Sequence, residues 1–166
     1  MRLYHGSTSI IKAPRILASD HIGDFGTGFY TTTDIQQARN FVNTKCDRAK
    51  LNIGYISIFE VSNDLLSSPA LKVLIFQKAD EKWVNFVKAN RKQPDFSHDY
   101  DLIMGPVAND QVYASFALFE ADLLSFEELI ERLKTRKLTD QILFHTEKSL
   151  LPLKFIGSEV VECPLK

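Results

Sequence analysis

Three glycines fall within six positions in Gly23-Asp24-Phe25-Gly26-Thr27-Gly28, and the chain leaves them through Phe29-Tyr30-Thr31-Thr32. Such a glycine density excludes a stable helix, while aromatic and β-branched residues directly after it favour an extended strand. The stretch therefore predicts a loop feeding a short strand, with backbone free to adopt positive φ or to approach a bound group closely. A tyrosine leaving such a loop can turn its ring face to a flat heterocycle and its hydroxyl to a polar edge. Equally, the ring can fill the core behind a tight turn. Glycines without a fixed spacing do not decide between the two.

Composition narrows the setting. A chain of 166 residues, 45% hydrophobic and 25% charged, reads as one globular domain spanning 1–166, able to bury a real core. No apolar run reaches the ~18 to 20 residues of a membrane span, and the N-terminus lacks a basic-then-apolar leader, so a soluble cytoplasmic protein with no membrane partner is expected. Cys46 and Cys163 are too few for a disulfide framework and lack metal-ligand spacing; both read as structural, and no metal is expected. A net charge of -1 gives no global basic field of the kind that draws in nucleic acid.

Strands and helices alternate irregularly, which favours an α+β fold over a regular parallel-crossover one. Leu3-Tyr4-His5-Gly6-Ser7 reads as a first strand. Ser9 to Ile22 has no clean period and reads as a covering loop or short helix. Asp34 is placed to cap a helix in which Ile35, Ala38, Phe41 and Val42 recur at helical spacing up to about Ala49. Tyr55 to Val61 alternates like a half-buried strand; Leu71 to Phe76 reads as another. Ala79, Trp83, Phe86 and Val87 mark a helix to about Arg91, and the polar segment Lys92 to Asp99 a surface loop. Tyr100 to Gly105 reads as a central strand stopped at Pro106, delivering Asn109 and Asp110 to a sheet end. Asp110 can cap the next helix. Ser125 and Glu128 form a capping-box pair for another, closed by Thr135-Arg136-Lys137. Gln141 to His145 and Leu153 to Val161 supply the last strands.

Leu3-Tyr4-His5-Gly6-Ser7 and Asp24-Phe25-Gly26-Thr27-Gly28-Phe29-Tyr30-Thr31-Thr32, taken together, resemble the nicotinamide-binding half of the ADP-ribosyltransferase superfamily in its poly(ADP-ribose) polymerase and diphtheria-toxin branch. Tyr100 to Asp110, Asp140 to Phe144 and Leu153 to Ser158 continue the likeness. The order is similar to that of an uncharacterised bacterial family of that superfamily whose members often sit beside small antitoxin-like partners. The resemblance implies two small antiparallel sheets, split to form an NAD cleft and flanked by helices. It implies an NAD-dependent mono-ADP-ribosyltransferase, a bacterial toxin of a toxin-antitoxin system. NAD would be its substrate, with no metal, a macromolecular acceptor and a small antitoxin as partner.

By the same resemblance, His5 meets the adenosine ribose, the Gly6 backbone the nicotinamide carboxamide, and the Tyr30 ring the nicotinamide face, with Ser7, Asp24, Gly28, Thr31 and Asn109 lining the NAD site. The superfamily's usual glutamate matches Gln141. Breaking the nicotinamide–ribose bond builds positive charge on the sugar, as in glycoside hydrolysis, so a carboxylate on the 2-hydroxyl helps most at the transition state. Glutamine keeps the grip and loses the charge, an effect on the order of 3 kcal/mol if it equals one preorganised donor. Asp110, with Asn109 beside it, is the first candidate substitute carboxylate; helix capping is its structural alternative. His145 is general-base material without a fixed partner. A catalytically weak NAD-binding module and an NAD glycohydrolase remain the competing functions.

Overall fold

The computed structural model describes residues 1–17, 23–93, 95–108, 110–134 and 138–163, with 110 and 111 described by backbone alone. Among these residues the strands are β1 (Arg2–Ser7), β2 (Phe29–Thr31), β3 (Ile53–Glu60), β4 (Val73–Ile75), β5 (Leu102–Pro106), β6 (Asp140–Phe144) and β7 (Lys154–Glu162). The α-helices are α1 (Ile35–Ala49), α2 (Glu81–Lys92), α3 (Asp110–Glu120), α4 (Phe126–Lys134) and α5 (Glu147–Leu150). The α+β expectation holds.

Strands β1-β3-β7 form an antiparallel sheet, and β2-β6-β5-β4 form a second. In the second, β2-β6 and β6-β5 are antiparallel but β4 runs parallel to β5. The expectation of two antiparallel sheets is corrected here. The connection from β4 to β5 passes through α2, the kind of helical crossover that parallel neighbours require.

Side-chain alternation sorts the core into layers. Leu3 and Phe59 from the first sheet meet Phe29, Leu102, Ile142 and Phe144 from the second, filling the space between the sheets. On the outer side of the first sheet, Ile56 and Val161 pack on Ala38, Val42 and Cys46 of α1. On the outer side of the second, Ile103 and Leu143 pack on Trp83, Val84 and Val87 of α2, Val112 and Phe116 of α3, and Leu129 and Leu133 of α4. Strands β5 and β6 read as unbroken apolar runs because both of their faces are covered.

The helix signals act as expected at α1 and α4. Asp34 accepts from the N–H groups of Gln36 and Gln37, and Ser125 and Glu128 exchange side-chain bonds across the start of α4, each satisfying donors that a helix start leaves orphaned. The described part of the covering segment, to residue 17, contains no helix. It is pinned to β3 where the Ile11 N–H donates to Ser57 Oγ at 2.8 Å. The proposed closure of α4 by residues 135–137 lies outside the described residues.

Candidate functional site

The two sheets meet where β1 and β2 cross. Tyr4 and Thr32 exchange both backbone bonds, at 2.9 and 3.0 Å, across an isolated bridge. That bridge sets His5 beside Tyr30: His5 Nδ1 lies 2.6 Å from the Tyr30 carbonyl oxygen, and its ring stacks on Phe29 at 4.3 Å. A carbonyl can only accept, so Nδ1 carries the proton and Nε2 keeps a lone pair. Burial, aided by the charge of Lys45 and opposed by the Tyr30 bond, brings the His5 pKa down to about 4. His5 is a neutral acceptor at pH 7.

Gly6 follows at the same strand end. A Cβ there would lie 2.5 Å from the Ala38 carbonyl oxygen of α1, so the helix can seat against β1 only over a glycine. Ser7 is buried, its hydroxyl bonding the backbone of Ser9. Gly28 has φ of 152°, and a Cβ on it would come 2.4 Å from the Phe144 carbonyl oxygen. Thr31 is buried against β6.

Tyr30 serves the glycine-rich loop itself. Its hydroxyl accepts from the Phe25 N–H at 3.1 Å and donates to the Gly26 carbonyl at 2.7 Å. It therefore bonds the loop and not a polar edge beyond it. Burial pushes its pKa far up, which keeps the hydroxyl protonated and able to make both bonds. Two histidines complete the grip: His98 Nε2 donates to the Phe25 carbonyl at 2.9 Å, and His145 Nδ1 to the Thr27 carbonyl at 2.6 Å, their rings 4.4 Å apart. Burial and the neighbouring His145 lower the His98 pKa. Tyr30→Phe keeps the ring and removes both hydroxyl bonds. It should cost about 1–2 kcal/mol in urea unfolding and speed amide exchange at Phe25; unchanged stability and exchange would show that the hydroxyl does not hold the loop.

Asp24 is 5% exposed and gathers four donors. Its Oδ2 accepts from the Ala108 N–H at 3.1 Å and from Gln141 Nε2 at 2.8 Å. Its Oδ1 accepts from the Tyr113 hydroxyl at 3.0 Å and is ion-paired with Arg91, whose guanidinium nitrogen is 3.1 Å away. Arg91 also bonds the Tyr113 hydroxyl and lies over that ring at 4.1 Å. Gln141 lies in β6 opposite Gly105 of β5, and the next residue, Ile142, faces Thr31 of β2. The site thus joins β1, β2, β6, α2 and α3.

His5, Gly6, Tyr30 and Thr31 are brought together directly, and Gln141 is joined to the same loop through Asp24. Asn109 lies outside the described residues; Asp110 opens α3, and its side chain lies outside them as well. Arg91, Tyr113 and His98 were missed by sequence reasoning. Arg91 enters only as the approximate end of a helix, Tyr113 is not singled out, and His98 falls in a polar loop. The neighbouring aromatics Phe96 and Tyr100 were the available signal that this loop is anchored.

Beside this network, Val87, Arg91, Tyr113 and Phe116 line a cavity of about 210 Å³ between α2 and α3. Among the described residues no group of three or more His, Cys, Asp or Glu could hold a metal ion, and no helix is long and apolar enough to cross a membrane.

Fold and site define an α+β protein of two sheets bridged at Tyr4 and Thr32, beside the His5–Tyr30 contact. The chain belongs to the family described as a protein of unknown function (DUF3990), which it matches over residues 1–155. No curated protein and no solved structure matches it.

Proposed function

We propose that this protein is an NAD-dependent mono-ADP-ribosyltransferase with the split-sheet architecture of that superfamily, acting in the cytoplasm as the toxin of a bacterial toxin-antitoxin pair. The observation that carries the reading is the direct contact of His5 with Tyr30. These are the two residues that match the superfamily's paired walls, and they come from strands of different sheets. A neutral His5 offers Nε2 to a ribose hydroxyl, and the Gly6 backbone and Tyr30 ring receive the carboxamide and pyridine. In the reaction the bond between nicotinamide and the ribose C1 breaks and its electron pair leaves with nicotinamide. A nucleophilic atom of the acceptor bonds to C1 and releases its proton to solvent. Gln141 orients the 2-hydroxyl.

A second reading rests on Gln141 itself: with an amide where a carboxylate is usual, the protein would bind NAD without turnover. NAD labelled in its adenylate half, incubated with the protein and a cell lysate, separates the outcomes. The proposal expects label on a macromolecule and its loss in His5→Ala, with folding checked by circular dichroism. Free ADP-ribose alone identifies a glycohydrolase. Calorimetric binding without products identifies the binding module, and absence of binding overturns all three.

A further inference from the structure

We propose that Asp24 is a positioning residue that fixes the Gln141 amide with Nε2 inward and Oε1 turned to the substrate, so that position 141 recognises a hydroxyl donor. This deepens the transferase reading and rests on it for the identity of the hydroxyl, a ribose one. Gln141 Nε2 has two partners, the Asp24 carboxylate at 2.8 Å and the Pro106 carbonyl at 3.2 Å. Both are acceptors only, so the chemistry admits one orientation of the amide. Among the described residues Oε1 has no hydrogen-bond partner, and the side chain that carries it is only partly buried.

Asp24 is fit for this role because it is buried and held from several sides. Its two oxygens take four donors: Ala108 N–H and Gln141 on one, Tyr113 and Arg91 on the other. A carboxylate offers about four acceptor sites, and three hydrogen bonds and an ion pair occupy them. Asp24 therefore acts through Gln141. The same geometry accounts for an amide at this position: a carboxylate there would face Asp24 and the Pro106 carbonyl with no proton between three oxygens. One of two such carboxyls must stay protonated.

The test exchanges acid and amide. In Gln141→Glu, labelled with ¹³C at glutamate carboxyls, the introduced carboxyl should titrate about one pH unit or more above an ordinary glutamate. In Asp24→Asn/Gln141→Glu it should return to the ordinary range. The pH dependence of NAD cleavage should move with it between the two variants, with NAD affinity by calorimetry held constant. Equal titration in both variants overturns the proposal. Should the double variant fail to fold, the unaltered chain decides. Its Gln141 side-chain amide protons should exchange about tenfold more slowly than those of exposed Gln77, and equal rates overturn it. The carboxyl titration and the amide exchange need no NAD, so failure of the transferase reading leaves them standing and is recognised separately, by absence of NAD binding in the unaltered protein.

Discussion

Asp24→Ala is expected to lower the free energy of unfolding by about 3 kcal/mol, the lower end of the range for removing one partner of a buried ion pair. The lower end applies because the Arg91 side chain is 27% exposed and regains some solvation. The substitution also takes the acceptor from the Ala108 N–H and the Tyr113 hydroxyl, and one of two acceptors from the Gln141 amide, which keeps the Pro106 carbonyl. Each orphaned buried donor costs more than the net value of the bond it made. Urea titration should show a lower midpoint at unchanged slope, since the folded surface changes little. A shift smaller than about 0.5 kcal/mol, the scatter of ordinary surface substitutions, would mean that the network contributes nothing to the fold.

The protein should also lose stability on acidification between pH 6.5 and about 4, as set by His5. Above pH 6.5 the imidazole is neutral in both folded and unfolded chains. Below it the unfolded chain takes up a proton that the folded chain refuses until about pH 4, so stability falls with pH through that window. The shift from 6.5 to about 4 corresponds to on the order of 3 kcal/mol. His98, also lowered by burial, adds in the same direction. Asp101 acts elsewhere. Burial raises its carboxyl, but bonds from Lys148, the Lys72 N–H and Thr146 bring it below its ordinary 3.8, so its contribution is lost only under pH 3.8. Chemical unfolding measured at pH 7 and pH 4.5 should show the loss. His5→Asn, which removes the titrating ring, should show distinctly less of it. Equal losses in the two proteins would exclude His5 as the cause.

Some elements were legible because their signals are local. The Asp34 cap and the recurrence of Ile35, Ala38 and Val42 lie within a few turns of one another, and so do the two halves of the Ser125–Glu128 box. Strand β5 was legible as a central strand and β6 as a strand opened by a polar residue, although neither pattern by itself says what covers its faces. The pairing of His5 with Tyr30 came from a resemblance spread over two short pieces; neither piece alone would have given it. The parallel setting of β4 was not legible, since three residues carry no mark of strand direction.

The site's polar interior was not legible for a related reason. Asp24 in a glycine-rich loop reads as a turn residue, and nothing near it announces Arg91 or Tyr113. Charge pairs between distant segments leave no periodicity, and each partner alone has a common local use: Arg91 as a helix-end cation, His98 as a polar loop residue. Gln141 was singled out as a departure from a glutamate, but what makes an amide suitable there is the carboxylate 2.8 Å away.

By itself the sequence determined the mixed class of the fold, the capped helices, the approximate place of the central strand and the need for glycine where the chain turns into β2. These follow from near-neighbour sterics and the burial of apolar side chains, which act over a few residues. Only the tertiary structure decided that β1 and β2 bridge the two sheets at Tyr4 and Thr32, and that a buried carboxylate governs how Gln141 faces outward. Both depend on backbone and side-chain groups far apart in the chain finding the one packing that leaves them paired.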